Sequence, residues 1–393
     1  MAGTTIDRQL TASVSDQVRF TLADERHDGA IRRLLRDNPM PGEVTLTLER
    51  EPDYFLGSRL PGVLEDQTIL AFEGDRVVCM GGCSVRERYI NGRRHRVGYL
   101  GGLRLDHSVQ GRFDIIRRGY KFFEEIAQDP PPEYYFTSVT SDNLRSIRLL
   151  ERGLPGMPSY RFLSEFLTLL IPIPDRVSAT DRDKKALRNL ERRGLRYSRG
   201  SEKNAGQLAE FLDSCAKENQ LATLWTKADL LQLADFGLPI TDFHILLDNE
   251  TIVAAVTLWD QRSFRQTVIR SYNRRLSLLR PLINGASRMF GTPHLPKINS
   301  ILEHAFLSPC ATIPKHHGLL PDLIHLCLPA AAARGIKFLT LGFGSQDTRT
   351  EHIRGAFRCR EYRSRLYQVA WNNKSHGLET LDKLSIFPEV AFL

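Results

Sequence analysis

No run in this 393-residue chain approaches the roughly 18 consecutive apolar residues that a membrane-spanning helix needs. The apolar run from Phe166 to Ile173 is far shorter and contains Pro172. No membrane role is therefore expected. Met1 to Gln17 is polar and lacks the charged-then-apolar order of a secretory signal, so the expected compartment is the cytoplasm. Cysteine is sparse. The six, Cys79, Cys83, Cys215, Cys310, Cys327 and Cys359, form no CxxC pair, and no metal site is expected. Cys79 and Cys83 share a face of a strand-like segment and read as buried thiols. Acid falls short of base, 46 Asp and Glu against 54 Lys and Arg, which leaves a formal charge of +8. That balance suits an acidic partner: the phosphates of a nucleotide cofactor, an acidic carrier protein or RNA. Much of the Arg and Lys is spread over helix faces, so nucleic acid is not the leading expectation.

Hydrophobic residues make up 41% and charged residues 25%, the balance of a soluble globular chain. The length exceeds one ordinary core and fits two domains of roughly 100–200 residues. Residues 1–17 read as a polar lead. Val18 to Leu22 reads as a strand. Asp24 to Asp37 reads as a helix, with Ile31, Leu34 and Leu35 on one face and Arg32, Arg33 and Arg36 on the other. Pro39 and Pro41 end it. Gln67 to Phe72 and Arg76 to Arg86 are strands around Glu73-Gly74-Asp75, and Asn91-Gly92 turns into Arg96 to Leu105. Asp114 to Gln128 is an amphipathic helix, Tyr134 to Thr140 a strand and Asn143 to Arg152 a helix. Tyr160 to Ile171 reads as one or two closing strands.

The stretch 173–187, with prolines and alternating charges, reads as a linker between domains at 18–172 and 188–375. Beyond it the order helix, helix, hairpin, strand, helix, strand, helix, strand recurs with little shared sequence. That recurrence suggests a structural repeat. Tyr272 to Lys297 reads as a Pro-, Gly- and His-containing loop, and residues 376–393 as a tail.

Two segments carry a family resemblance. Val97-Gly98-Tyr99-Leu100-Gly101-Gly102-Leu103-Arg104-Leu105 runs into Gln110-Gly111-Arg112 and a helix. Ser141-Asp142-Asn143-Leu144-Arg145-Ser146-Ile147-Arg148-Leu149-Leu150-Glu151-Arg152-Gly153 follows. In this order they resemble the two cofactor motifs of the GNAT N-acetyltransferase superfamily. The resemblance covers Val18 to Ile171, and over Leu195 to Trp371 it is one of topology. It implies an α/β fold of two tandem GNAT-like domains, each a mixed, mostly antiparallel twisted sheet flanked by helices. It also implies acyl transfer, expected as acetyl transfer, from CoA to an amine of a small molecule, with acetyl-CoA or another acyl-CoA as co-substrate.

The resemblance assigns the pantetheine arm to the backbone of Leu103, Arg104 and Leu105. It assigns the pyrophosphate to the loop and helix start at Gln110, Gly111, Arg112, Phe113, Asp114 and Ile115, with Asn143 on the cofactor arm or as a plain helix cap. Helix N-termini bind phosphate through free N–H groups and a partial positive charge. A thiolate leaving group, with a pKa of about 8.5 for a comparable thiol, lets positioning and oxyanion stabilisation supply much of the rate.

This chain departs from the family pattern in three places. The later loop glycines align with Phe113 and Ile115, the frequent acid tyrosine aligns with Leu150, and no strand carboxylate stands at Gly101 or Gly102. The nearest titratable groups are Tyr99, Asp106 and Asp142. In the second half, Glu303 beside His304 lies on the segment matching Leu100 to Leu105, where a glutamate deprotonates an amine directly or through water. The expected catalytic set is thus Tyr99, Asp142 and Glu303, each against the plainer reading of a packed aromatic, a turn residue and a surface pair. His316-His317 precede a helix, as a phosphate site or a solvated loop. Two other functions compete: an aminoacyl-tRNA-dependent transferase with paired copies of this fold, and a non-catalytic acyl-CoA-binding or regulatory protein. The acceptor pocket is expected among the variable loops at 38–67 and 272–297.

Overall fold

The computed structural model describes residues 18–126, 130–174, 181–290, 293–371 and 381–393. The polar lead at 1–17 lies outside them, as do residues 175–180 of the expected linker and 376–380 of the expected tail.

The first half runs β1 (Val18–Leu22), α1 (Asp28–Asp37), β2 (Val44–Glu49), β3 (Val63–Glu73), β4 (Arg76–Ile90), β5 (Arg93–Leu105), α2 (Phe113–Glu125), β6 (Tyr134–Thr140), α3 (Leu144–Glu151) and β7 (Ser159–Pro172). The second runs α4 (Asp181–Arg192), β8 (Leu195–Arg199), α5 (Ala205–Lys217), β9 (Asn219–Gln220), α6 (Lys227–Gln232), β10 (Phe243–Asp248), β11 (Thr251–Thr257), β12 (Gln266–Tyr272) and α7 (Arg274–Phe290). It ends with β13 (His304–Phe306), β14 (Cys310–Thr312), α8 (Leu320–Ala333), β15 (Phe338–Gly344), α9 (Arg349–Ala356), β16 (Arg360–Ala370) and β17 (Ser385–Ile386).

Local chemistry sets the first half. Ile31, Leu34 and Leu35 are buried on the inner face of α1, as their spacing predicts. Asn91 and Gly92, at φ 50° and 71°, make the left-handed pair that a two-residue hairpin between β4 and β5 requires. Asn143 caps α3, its side-chain oxygen accepting from the Ser146 amide at 3.2 Å, which is the plain-cap reading.

The expected mixed, mostly antiparallel sheet flanked by helices is present, but the halves do not close separate sheets. One nine-stranded sheet runs β1-β3-β4-β5-β6-β16-β7-β15-β13. β16, from the end of the second half, lies antiparallel between β6 and β7. Reciprocally, β7 lies between β16 and β15. Each half therefore contributes one strand to its neighbour's place in the sheet. A four-stranded sheet, β14-β11-β10-β8, completes the second half. β7 is apolar because it is covered by both halves: Phe166, Leu167, Leu169 and Ile171 are buried. Each such side chain contributes about 1.5–3 kcal/mol.

Other expectations are corrected. α4 occupies the end of the expected linker. The loop expected at 272–297 contains α7, with Pro281 inside it. The loop expected at 38–67 contains β2, which pairs with β12. The expected tail is built into the fold: β17 pairs with β9, and Glu389, Ala391 and Phe392 are buried. Among the described residues no helix is long and apolar enough to cross a membrane.

Candidate active site

β5 and β6 are parallel partners only from Val97 to Tyr99, opposite Tyr134 to Phe136. Beyond that point β5 stays on β4 and leaves β6. Gly102, at φ +68°, sits in a bulge of β5, where the register to β4 shifts between Gly101 and Arg104. Leu103 is consequently exposed at 42% although it is an apolar strand residue. Thr137 Oγ1 donates to the Leu100 carbonyl at 2.6 Å across the root of the cleft. Leu103, Arg104 and Leu105 thus lie beyond the last β5–β6 pair, on the part of β5 that has left β6.

On one face below this cleft lies a cavity of about 140 Å³. Its floor is a cross-strand row without bulk, Thr68, Gly82 and Gly101, in register on β3, β4 and β5. The next row is Asp66, Ser84 and Tyr99. Two strand spacings separate Asp66 from Tyr99 in backbone position, or about 10 Å. The Tyr99 ring folds over Gly101, where an added Cβ would meet it at 2.8 Å. This explains why no carboxylate stands on β5: the room is taken by Tyr99, and the cavity's carboxyl is Asp66, two strands over.

Period-2 alternation on β4 directs Ser84, Arg86 and Arg88 to this side. Arg86 is 3% and Arg88 1% exposed. Arg86 Nη1 donates to the Pro61 carbonyl at 2.8 Å, and Arg88 Nη1 to the Leu221 carbonyl at 2.8 Å. Arg50 enters from the end of β2, and Arg265 from just before β12. Reciprocal hydrogen bonds between Gln266 and the Glu51 backbone, both 2.9 Å, fix Arg50's segment to the second half. Phe392 forms part of the wall.

Asp66 is open to the cavity yet ringed by protein. Lost hydration raises its carboxyl above the ordinary range, against a hydrogen bond with Ser84 and nearby arginines that lower it. Burial also raises Tyr99, whose hydroxyl pairs with Ser138 Oγ at 2.8 Å, so Tyr99 keeps its proton at neutral pH. Burial lowers Arg86 to about 9 and Arg88 to about 10, values that leave both charged at neutral pH.

The expected catalytic residues are not brought together. Tyr99 lines the cavity. Asp142 is exposed in the turn before α3, its carbonyl accepting from Leu144. Glu303 is exposed ahead of β13, its carbonyl accepting from Lys337 and Phe338. Neither lines the cavity, whereas Asp66, which no motif in the sequence singles out, does. The arginines at 86 and 88 flank the exposed Glu87 and share the opposite, buried face of β4, a local hint of polar groups inside the fold that does not name the cavity.

The expected pyrophosphate loop has a different interior from a free cradle. Gly111 adopts φ +93°. The amides of Arg112, Phe113 and Ile115 already donate to Val109, Gly111 and Arg112. The Arg112 guanidinium is held by Asp114 at 2.7 Å, and the Ile115 side chain is buried. Phe113 and Gln110 are exposed. The exposed Arg145 stands over this loop, 3.6 Å from where a Cβ on Gly111 would lie.

The second half has the matching divergence. Leu307 still donates to Thr340 at 2.8 Å, and β14 then leaves for β11. Here the gap is bridged by the chain itself. Val390 lies 2.9 Å from a Cβ built on Gly342, and Glu389 accepts from Ser308 at 2.9 Å. Leu307 to Thr312 are all buried. The first half keeps its cleft open and the second fills its own. Among the described residues no group of three or more His, Cys, Asp or Glu is placed to hold a metal.

No protein-family model and no curated protein matches this chain. Solved structures do. A GCN5-related N-acetyltransferase from Sphaerobacter thermophilus matches at TM-score 0.52 and 11% identity, over 90% of this chain and 95% of that one. Saccharomyces cerevisiae N-myristoyltransferase with bound myristoyl-CoA matches at TM-score 0.57 and 11% identity, over 93% and 81%. At this identity the likeness is one of fold. The chain has the GNAT fold shared by these two proteins, across nearly its whole length.

Proposed function

We propose that the protein is an acyl-CoA-dependent N-acyltransferase whose donor arm lies in the cleft between β5 and β6 and whose amine enters the adjoining cavity. The observation that supports this most is the divergence of β5 and β6 immediately after Tyr99 and Phe136, with Leu103 exposed on the free edge. The acyl carbon would then face the row of Asp66, Ser84 and Tyr99. Asp66 accepts the amine proton. The nitrogen–carbon bond forms as the carbon–sulfur bond breaks, and the thiolate takes a proton from Tyr99 or solvent. The exposed Arg145 stands beside Gly111 and would meet the donor's phosphates at this loop. Acetyl-CoA is the first donor to test.

The test is calorimetric titration with acetyl-CoA and longer acyl-CoAs, followed by thiol release across a panel of amines. One-to-one binding and turnover are expected. Asp66→Asn should retain donor binding and lose about 100-fold or more in turnover, the range for a general base. Failure of every acyl-CoA to bind would remove the reading.

A further inference from the structure

The cavity carries more positive charge than its own walls neutralise. Arg50, Arg86, Arg88 and Arg265 line it, with Asp66 the one carboxyl among the lining residues. Arg104 adds to the repulsion on Arg50. Glu389 lies behind the wall, but its two oxygens are committed to Trp225 Nε1 at 2.6 Å and Ser308 Oγ at 2.9 Å. Arg265 is committed to backbone oxygens of Ala391 and Leu393. Arg86 and Arg88 each have a carbonyl partner. Arg50 is different. It is half-buried against the cavity, and among the described residues no hydrogen bond or ion pair holds its guanidinium; Arg104 Nε is buried without a partner. A guanidinium that faces a cavity with no protein partner gains from a charged oxygen ligand there. Burial and the neighbouring arginines push Arg265 down strongly, and burial pushes Arg50 down as well, the response of cations that gain from an added anion.

We propose that the cavity binds the anionic group, a carboxylate or phosphate, of a small amine acceptor, with Arg50 as its principal ligand and Arg86 and Arg265 supplying the surrounding field. The statement that this anion belongs to the acceptor rests on the acyltransferase reading above. Guanidinium matches planar or tetrahedral oxyanions through paired N–H donors. The cavity, at about 140 Å³, has room for the polar end of a small acceptor. The anion would sit on the same side of the sheet as Asp66 and Tyr99, so binding it also aims the substrate's amine at the row where proton transfer is proposed.

The experiment compares wild type, Arg50→Gln and Arg50→Lys. Thermal melts are recorded against inorganic phosphate and, separately, acetate, with ionic strength held constant by chloride. Acetyl-CoA affinity is measured in parallel by calorimetry. Wild type should be stabilised by at least one of the two anions, and which one tells phosphate from carboxylate chemistry. Arg50→Gln should weaken that response at least about tenfold in apparent affinity, and Arg50→Lys should restore part of it. Without anion, Arg50→Gln should melt no lower than wild type, since it relieves like-charge repulsion. Equal anion responses in wild type and Arg50→Gln would overturn the proposal. Loss of acetyl-CoA binding in Arg50→Gln would overturn it too, by assigning the arginine to the donor. An Arg50-dependent anion response without acyl-CoA binding by wild type would support the anion site and remove the transferase reading instead.

Discussion

The Arg86 guanidinium lies 3.9 Å from the centre of the Phe392 ring. This contact joins β4, in the middle of the first half's sheet, to the last turn of the second half. The cavity therefore belongs to neither half alone: the first half supplies its floor and carboxyl, and the second supplies Arg265 and a wall.

Phe392 also packs against Trp225 and Trp259, with ring centres 5.7 and 5.6 Å away. Phe392→Ala should cost about 3–5 kcal/mol. It should shift tryptophan emission in the folded state and weaken acceptor use more than acyl-CoA binding. Urea unfolding and fluorescence check the first two outcomes. An unchanged emission spectrum would contradict the packing.

Gly102 has open space around its missing Cβ, so a substitution there meets only the backbone restriction at φ +68°. Gly102→Val should cost about 1–2 kcal/mol or flatten the bulge. Gly102→Asn should be milder, since asparagine tolerates left-handed backbone. Acyl-CoA affinity, measured by calorimetry, should fall in the order Gly, Asn, Val. Equal affinities would show that the bulge does not shape the cleft.

Asp347 and Arg349 form a buried ion pair at 2.5 Å, and the guanidinium lies 4.7 Å from the Phe343 ring centre and 4.4 Å from that of Phe387. Arg349→Met alone leaves a buried carboxylate unpaired and should cost about 3–5 kcal/mol. Adding Asp347→Asn should recover part of that loss. Chemical denaturation of the two single variants and the double variant tests this, and additive losses would deny the coupling.

Burial lowers His244 to about 3 and His304 to about 4. Between those values and the unfolded value of about 6.5, the unfolded chain binds protons that the folded chain does not. Stability should therefore fall as pH drops below about 6.5, by about 1.4 kcal/mol per pH unit for each histidine within its window. Asp66 and Glu389 are raised by burial and act in the opposite sense, losing stability as pH rises through their windows. Urea midpoints at pH 7 and pH 5 should show the histidine effect, and His244→Gln should reduce the slope. A slope unchanged in that variant would assign the effect elsewhere.

The first half was legible because its signals are local. Ile31, Leu34 and Leu35 mark α1, Asn91-Gly92 marks a hairpin, and Gly111 takes the left-handed conformation before α2. The GNAT fold itself followed from the two motifs in order. The cavity was not legible, because its polar groups converge through register. Asp66 meets Ser84 and Tyr99 only when three strands align, and Arg50 is placed by β2 pairing with β12, more than half the chain away. The strand exchange was hidden for a similar reason. Alternation in Tyr362 to Trp371 announces a strand, but nothing in it names β6 and β7 as its neighbours. α7 is hidden in the sequence because Pro281 and Gly285 are poor helix formers, a cost overridden here.

The position of β16 also sets an order on synthesis. When residues 134–172 leave the ribosome, β6 and β7 are not each other's native partners, since the strand between them, residues 360–370, is made only later. The nascent first half then carries three strand edges without their native partners, one on β6 and both on β7, the condition under which a chain joins the wrong neighbour. Translation speed and chaperone access during that interval will bear on how much native protein a cell recovers, independently of how stable the finished molecule is.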